Sequence, residues 1–157
     1  MTESGKTTLA KQLARTYKAK QVGVLVLDPL FDNWECDRQL NDANEFLQVY
    51  WASRSCMVFI DESGDAIGRY EKAMIQTATR GRHWGHSNHY ITQRANSVAL
   101  TVRDQCSHLF LFASGFEDCK THAKEWNQPE LIQAANFEKG EYFHTTRFGQ
   151  LTRNKLF

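Results

Sequence analysis

Six consecutive residues near the start of the chain, Glu3-Ser4-Gly5-Lys6-Thr7-Thr8, are of types that together can hold a phosphate group. Gly5 lets the backbone approach an anion with no Cβ in the way, and consecutive N–H groups at the start of a helix can point at it. The Lys6 ammonium can reach the β and γ phosphates of a nucleotide, and the Thr7 hydroxyl can ligate an accompanying Mg2+. A second string has complementary chemistry. Cys56-Met57-Val58-Phe59-Ile60 is a wholly apolar run that closes on Asp61-Glu62. A buried strand ending this way would deliver one carboxylate, Asp61, toward a water-bridged Mg2+. The next, Glu62, would act as general base on an attacking water. Either string alone is common in proteins that bind no nucleotide. In this order, with a further strand between them, they describe one site for ATP and Mg2+.

These residues need elements to place them, and the sequence supplies an alternation of strands and helices. Lys6 to Lys18 reads as a helix with Leu9, Leu13 and Tyr17 on one face. Val22 to Leu27, ending at Asp28-Pro29, is apolar on both faces, as a buried parallel strand should be. Asp42 to Trp51 and Tyr70 to Thr79 read as helices, separated by the strand Cys56 to Ile60. Ser87 to Thr92 is a strand candidate of unusual polarity, and His108 to Phe112 a stronger one. Helical segments at Glu117 to Trp126 and Glu130 to Ala135 follow, and Tyr142 to Arg147 with Gln150 to Leu156 reads as a terminal hairpin around Phe148-Gly149. The expected fold class is α/β, three layers with a mainly parallel central sheet and a C-terminal β-hairpin.

Length and composition set bounds on function. A chain of 157 residues, 41% of them hydrophobic, suits one domain with one core, and there is no repeat, low-complexity stretch or linker at which to divide it. No run approaches the roughly 20 apolar residues of a bilayer span. The four cysteines, Cys36, Cys56, Cys106 and Cys119, form no C-x-x-C pair and suit reduced thiols better than a disulfide framework. Nineteen basic against eighteen acidic residues give no global polyelectrolyte signal. Any nucleic-acid role therefore rests on local charge. One such locality runs from Arg69 to Arg103, where Arg69, Lys72, Arg80, Arg82, Arg94 and Arg103 face the single acid Glu71.

Thr79 to Arg103 carries further motifs: T-R-G-R-H-W-G, then a strand, then I-T-Q-R, then V-R-D-Q-C before the F-L-F run and, later, G-E-Y from Gly140. With the G-K-T and Asp61-Glu62 strings, the chain resembles the FtsK/HerA superfamily of P-loop ATPases over nearly its whole length. Within it, the chain resembles the genome-packaging ATPases of tailless, internal-membrane phages. The resemblance implies an ATP hydrolase that moves double-stranded DNA as a homo-oligomeric ring, a hexamer for preference. It would work in the host cytoplasm or at the virion packaging vertex, beside capsid or portal-vertex proteins. It assigns Gln93 as a sensor of the γ-phosphate, and Arg80 or Arg82 as the arginine that reaches a neighbouring subunit's nucleotide. A guanidinium there would offset charge developing on the transferring phosphoryl group.

The chain departs from that pattern at three places. Glu3 stands where many relatives have a small residue, the strand before Gln93 is polar, and the first glycine of G-x-x-x-x-G-K-T would fall one position before Met1. The expectation is that about ten further residues, a strand of ordinary length and a glycine, precede Met1 in the native product. A zonula occludens toxin-like phage-assembly ATPase shares the R-H-x-G and T-Q elements and is the nearest rival. A non-motor subunit that binds nucleotide only to hold an assembly together is another, although it would have no use for the second carboxylate. A small-molecule kinase would need an acceptor-binding insert that is not evident. The repeated histidines His83, His86 and His89 would share a face only on a helix, which Gly85 opposes.

Overall fold

The computed structural model describes residues 3–61 and 71–157. It divides into two compact units, Thr7–Thr92 on one side and Met1–Lys6 with Gln93–Phe157 on the other.

In the first unit a four-stranded parallel sheet runs in the order β2-β1-β3-β4, with β1 Val24–Leu27, β2 Arg38–Leu40, β3 Met57–Asp61 and β4 Ser87–Ile91. All four residues of β1 are buried, and so are the last four of β3, as strands covered on both faces must be. The alternation of side chains splits them between two cores. Leu25, Leu27, Val58 and Ile60 point to one face, where α2 (Ala43–Ala52) and α3 (Glu71–Arg80) cover them with Phe46, Tyr50 and Met74. Val24, Val26 and Phe59 point to the other, against Ala10 and Ala14 of α1 (Lys6–Ala19) and Trp34. The result is three layers. On α1 the sequence pattern singled out Leu9, Leu13 and Tyr17, yet the fully buried positions are Ala10 and Ala14. Small side chains at that spacing let the helix lie close on the sheet, while Leu13 and Tyr17 flank the contact.

β4 is polar because its side chains are needed for bonding as well as packing. Asn88 Nδ2 donates to Thr77 O at 2.9 Å, and the Tyr50 hydroxyl donates to Asn88 Oδ1 at 3.0 Å. Thr77 Oγ1 donates to Met74 O at 2.6 Å, which leaves it to accept from the Tyr90 hydroxyl at 2.8 Å. The network joins α2, α3 and β4, and burial pushes the Tyr50 phenol up to about 12. Two of the three histidines are also accounted for here. His86 Nδ1 accepts from Cys56 N–H, so that Nε2 donates to Tyr50 O at 2.9 Å. His89 Nδ1 lies 3.0 Å from Val58 O, and its ring stacks on Phe59.

The second unit holds an antiparallel sheet in the order β5-β6-β7, made of His108–Phe112, Glu141–Thr146 and Thr152–Lys155. The expected terminal hairpin is β6–β7, and β5 pairs with it, Phe110 opposite His144. Leu111 and Phe143 pack on Cys119, Ala123 and Trp126 of the α5 region (Phe116–Glu125), with Leu131 and Ala134 of Pro129–Asn136, where the helical segment that the sequence suggests takes the 3-10 form. A six-residue helix, α4 (Leu100–Gln105), precedes β5. Arg147 ties these elements together. Its guanidinium donates to Arg103 O, Cys106 O and Glu125 O, and lies 3.8 Å from the Trp126 ring centroid. It thereby caps the last carbonyls of α4 and α5 at once. Among the described residues β4 and β5 each close their own sheet, with one backbone edge bearing no strand partner, and no helix is long and apolar enough to cross a membrane.

Candidate nucleotide site

The loop before α1 has the backbone that an anion site needs. Glu3 has φ 69° and Gly5 φ 114°, on either side of a Ser4 of ordinary handedness. Such alternation gathers successive N–H groups toward one side. Gly5 is obligatory on a second count, because a Cβ there would stand 2.9 Å from the Phe112 ring and 3.0 Å from Leu156. Ser4 is buried, and its carbonyl accepts from Gly140 N–H at 3.0 Å. Gly140, itself at φ 86°, so holds the loop from the start of the terminal hairpin. Lys6 opens α1 and donates from Nζ to Ser4 Oγ at 2.9 Å. The first turn of that 14-residue helix carries no acid, leaving its positive end to attract an anion.

Asp61 is the last residue of β3 and is buried, at the carboxyl end of the parallel sheet. That is the end at which open α/β sheets bind ligands. Thr7, in the first turn of α1, donates from Oγ1 to Asp61 Oδ2 at 3.4 Å. The two residues that the sequence assigned to one Mg2+ are thus in one place. A hydroxyl and a carboxylate oxygen are hard donors, and a small divalent cation that keeps most of its waters needs no more from a protein. The described residues hold no group of three or more His, Cys, Asp or Glu suited to another kind of metal centre.

The other expected residues are placed more loosely. Glu62 lies outside the described residues. Gln93 follows β4 by two positions and is exposed. Ile91, at the end of β4, is the register partner of Asp61. Thr8 and Glu3 are exposed. Arg80 ends α3 and Arg82 lies in the 3-10 turn Gly81–Trp84 that follows; both are exposed.

Sequence reasoning passed over Asp28, which it took only as the end of β1. Its carboxylate is buried and accepts from Leu30 N–H, Asp32 N–H and Trp34 Nε1–H. Asp-Pro after an apolar strand was the available signal, since an Asp there can fold the following backbone back on itself. Leu27 is level with Ile60 across the sheet, so this rigid turn emerges beside the end of β3.

No protein-family model matches the chain, and no curated protein sequence matches it. Solved structures do. The genome-packaging NTPase B204 of Sulfolobus turreted icosahedral virus 2, in complex with AMPPCP, superposes at a TM-score of 0.76 with 15% identity, over 98% of this chain and 92% of that one. The chain has a P-loop NTPase fold. B204 of Sulfolobus turreted icosahedral virus, a DNA-packaging ATPase, matches at 0.73 with 15% identity over 98% and 92% of the two chains. VirB4 of Thermoanaerobacter pseudethanolicus matches at 0.54 with 16% identity, over 80% of this chain and 42% of that one.

Proposed function

We propose that the protein is an ATP hydrolase that drives double-stranded DNA into a viral capsid as a homo-oligomeric ring. The observation that carries the site is the approach of Thr7 Oγ1 to Asp61 Oδ2 at the carboxyl end of the sheet, directly after a loop whose backbone is shaped for phosphate. What supports the biological role is the similarity in fold to two packaging NTPases, one of them solved with an ATP analogue.

In this reading the Glu3–Thr8 loop holds the phosphates through backbone N–H groups, and Lys6 leaves Ser4 for the β and γ phosphates. Thr7 and Asp61 would hold Mg2+, which neutralises charge on the phosphate oxygens when bound. Glu62 takes a proton from the attacking water, and Gln93 registers the γ-phosphate. Arg80 or Arg82 supplies positive charge to a neighbour's nucleotide, so that hydrolysis depends on subunit contact. Neither arginine has an ion-pair partner among the described residues, leaving both available to an incoming phosphate. The same basic stretch would meet the DNA backbone, with the host cytoplasm and the virion packaging vertex as the place of action and capsid or portal proteins as neighbours.

The test is the ATP hydrolysis rate with and without duplex DNA, for wild type and Glu62→Gln. Stimulation by DNA in the wild type and loss of turnover in the variant are expected. A wild-type rate indifferent to DNA removes the motor, and full activity in the variant removes Glu62 as the base. Stimulation should also weaken between low and moderate salt, because phosphate contacts release counterions.

A further inference from the structure

Asp118 stands in the first turn of α5, where an acid ordinarily serves its own helix. Its Oδ1 reaches instead to Ala95 N–H, accepting at 3.0 Å, two residues beyond Gln93. Ala95 is buried and opens the short 3-10 turn Ala95–Ser97, and the bond is part-buried. Four and seven residues further along α5, on the same face, stand His122 and Glu125. Glu125 Oε1 pairs with Arg103 Nη2 at 3.2 Å, their side chains 17% and 15% exposed, and Arg103 Nη1 donates to Asn96 Oδ1 at 3.3 Å. One strip of α5 therefore grips the stretch after Gln93 at Ala95 and again at Arg103.

The arrangement is costly. Arg103 Nε, His122 Nδ1 and Glu125 Oε2 are buried without a hydrogen-bond partner among the described residues, and an apolar contact would hold α4 to α5 at less expense. Buried polar pairs of this kind are better suited to fixing register than to adding stability. What they fix here is the backbone leading directly out of Gln93.

We propose that Asp118 is a positioning residue for Gln93: its bond to Ala95 N–H sets where the sensor stands, with Glu125 and Arg103 as a second anchor on the same strip. The inference rests on the reading of Gln93 given above. It concerns geometry and not charge, since an amide oxygen at position 118 would accept the same bond.

The test compares Asp118→Ala, Asp118→Asn, Gln93→Ala and the double variant Gln93→Ala/Asp118→Ala in steady-state ATP hydrolysis by the full chain. Asp118→Ala should lower kcat by about tenfold with KM for ATP moving less than about twofold. Asp118→Asn should retain most of the activity. The double variant should be no slower than Gln93→Ala alone, because two residues acting through one another do not multiply their effects. Multiplying losses in the double variant would overturn the proposal. So would an Asp118→Ala defect that lies in KM, or one that disappears when rates are divided by the folded fraction from thermal unfolding. If Gln93→Ala turns over ATP like wild type, the positioning role falls while hydrolysis stands. An inactive wild type removes the function itself.

Discussion

The Tyr50 hydroxyl occupies the space beside residue 81: a Cβ built on Gly81 would stand 1.9 Å from Tyr50 Oη and 3.1 Å from Asn88 Nδ2. Neither neighbour can retreat, since both are bonded to each other and both reach Thr77 O. The glycine between Arg80 and Arg82 is there because a buried tyrosine lies under it. Gly81→Ala should therefore destabilise the protein by about 2 kcal/mol or more, read from the urea midpoint. Tyr50→Phe alone should cost about 1 kcal/mol through its lost hydrogen bonds. Introduced with Gly81→Ala, it should restore part of the stability. Strict additivity of the two would show that residue 81 does not meet Oη.

In the proposed site Thr7 serves through its hydroxyl, which already faces Asp61, and not through its bulk. Thr7→Val keeps the shape and should weaken the apparent Mg2+ affinity of the nucleotide-bound protein by about 10–100-fold, measured as the Mg2+ dependence of fluorescent-nucleotide binding. Thr7→Ser should stay close to wild type. A defect in Thr7→Ser with Thr7→Val close to wild type would place the methyl group, not the oxygen, at the site.

Arg147 should resist conservative replacement. A lysine presents a point charge on a flexible stem and cannot address Arg103 O, Cys106 O and Glu125 O together while lying flat on Trp126. Arg147→Lys is expected to lose about 2–4 kcal/mol of stability in denaturant titration, nearly as much as Arg147→Met. A lysine variant of native stability would show the three bonds to be dispensable.

His122 predicts a dependence on pH. Burial, with the Arg103 guanidinium as a second cause, lowers it to about 4, against a smaller opposing pull from Asp118. The folded protein thus disfavours the charged imidazole, and the unfolded chain takes up the proton first. The contribution is complete above the unfolded value near 6.5 and is lost as pH falls from there toward 4, by an amount of about 2–3 kcal/mol. His122→Leu should flatten the stability curve over that interval. An unchanged slope in the variant would assign the acid sensitivity to other groups.

Much of the fold was legible because β1, β3 and β5 are apolar and bounded. His108–Phe112 was expected with the bounds observed, and β1 and β3 were shifted by one or two residues. β2 went unseen. Three residues, Arg38, Gln39 and Leu40, with one buried side chain, carry no periodicity, and only pairing with β1 makes them a strand. β4 was doubted for its polarity, since no one-dimensional pattern can show that Asn88 is bonded to residues on α2 and α3. The pairing of Thr7 with Asp61 was legible from motif chemistry. Asp118 was not, because an acid early in a helix is ordinary in sequence and its partner Ala95 contributes only a backbone N–H.

Gly140 N–H bonds to Ser4 O, joining the loop before α1 to the start of β6, far along the sequence. Contacts of such separation form late, since the loop they close is long. During synthesis the Ser4 backbone gains this support only after the β6–β7 hairpin has emerged. A copy whose synthesis stalls before Gly140 therefore lacks the bond that holds Ser4, and its Glu3-Ser4-Gly5 backbone is left without that support.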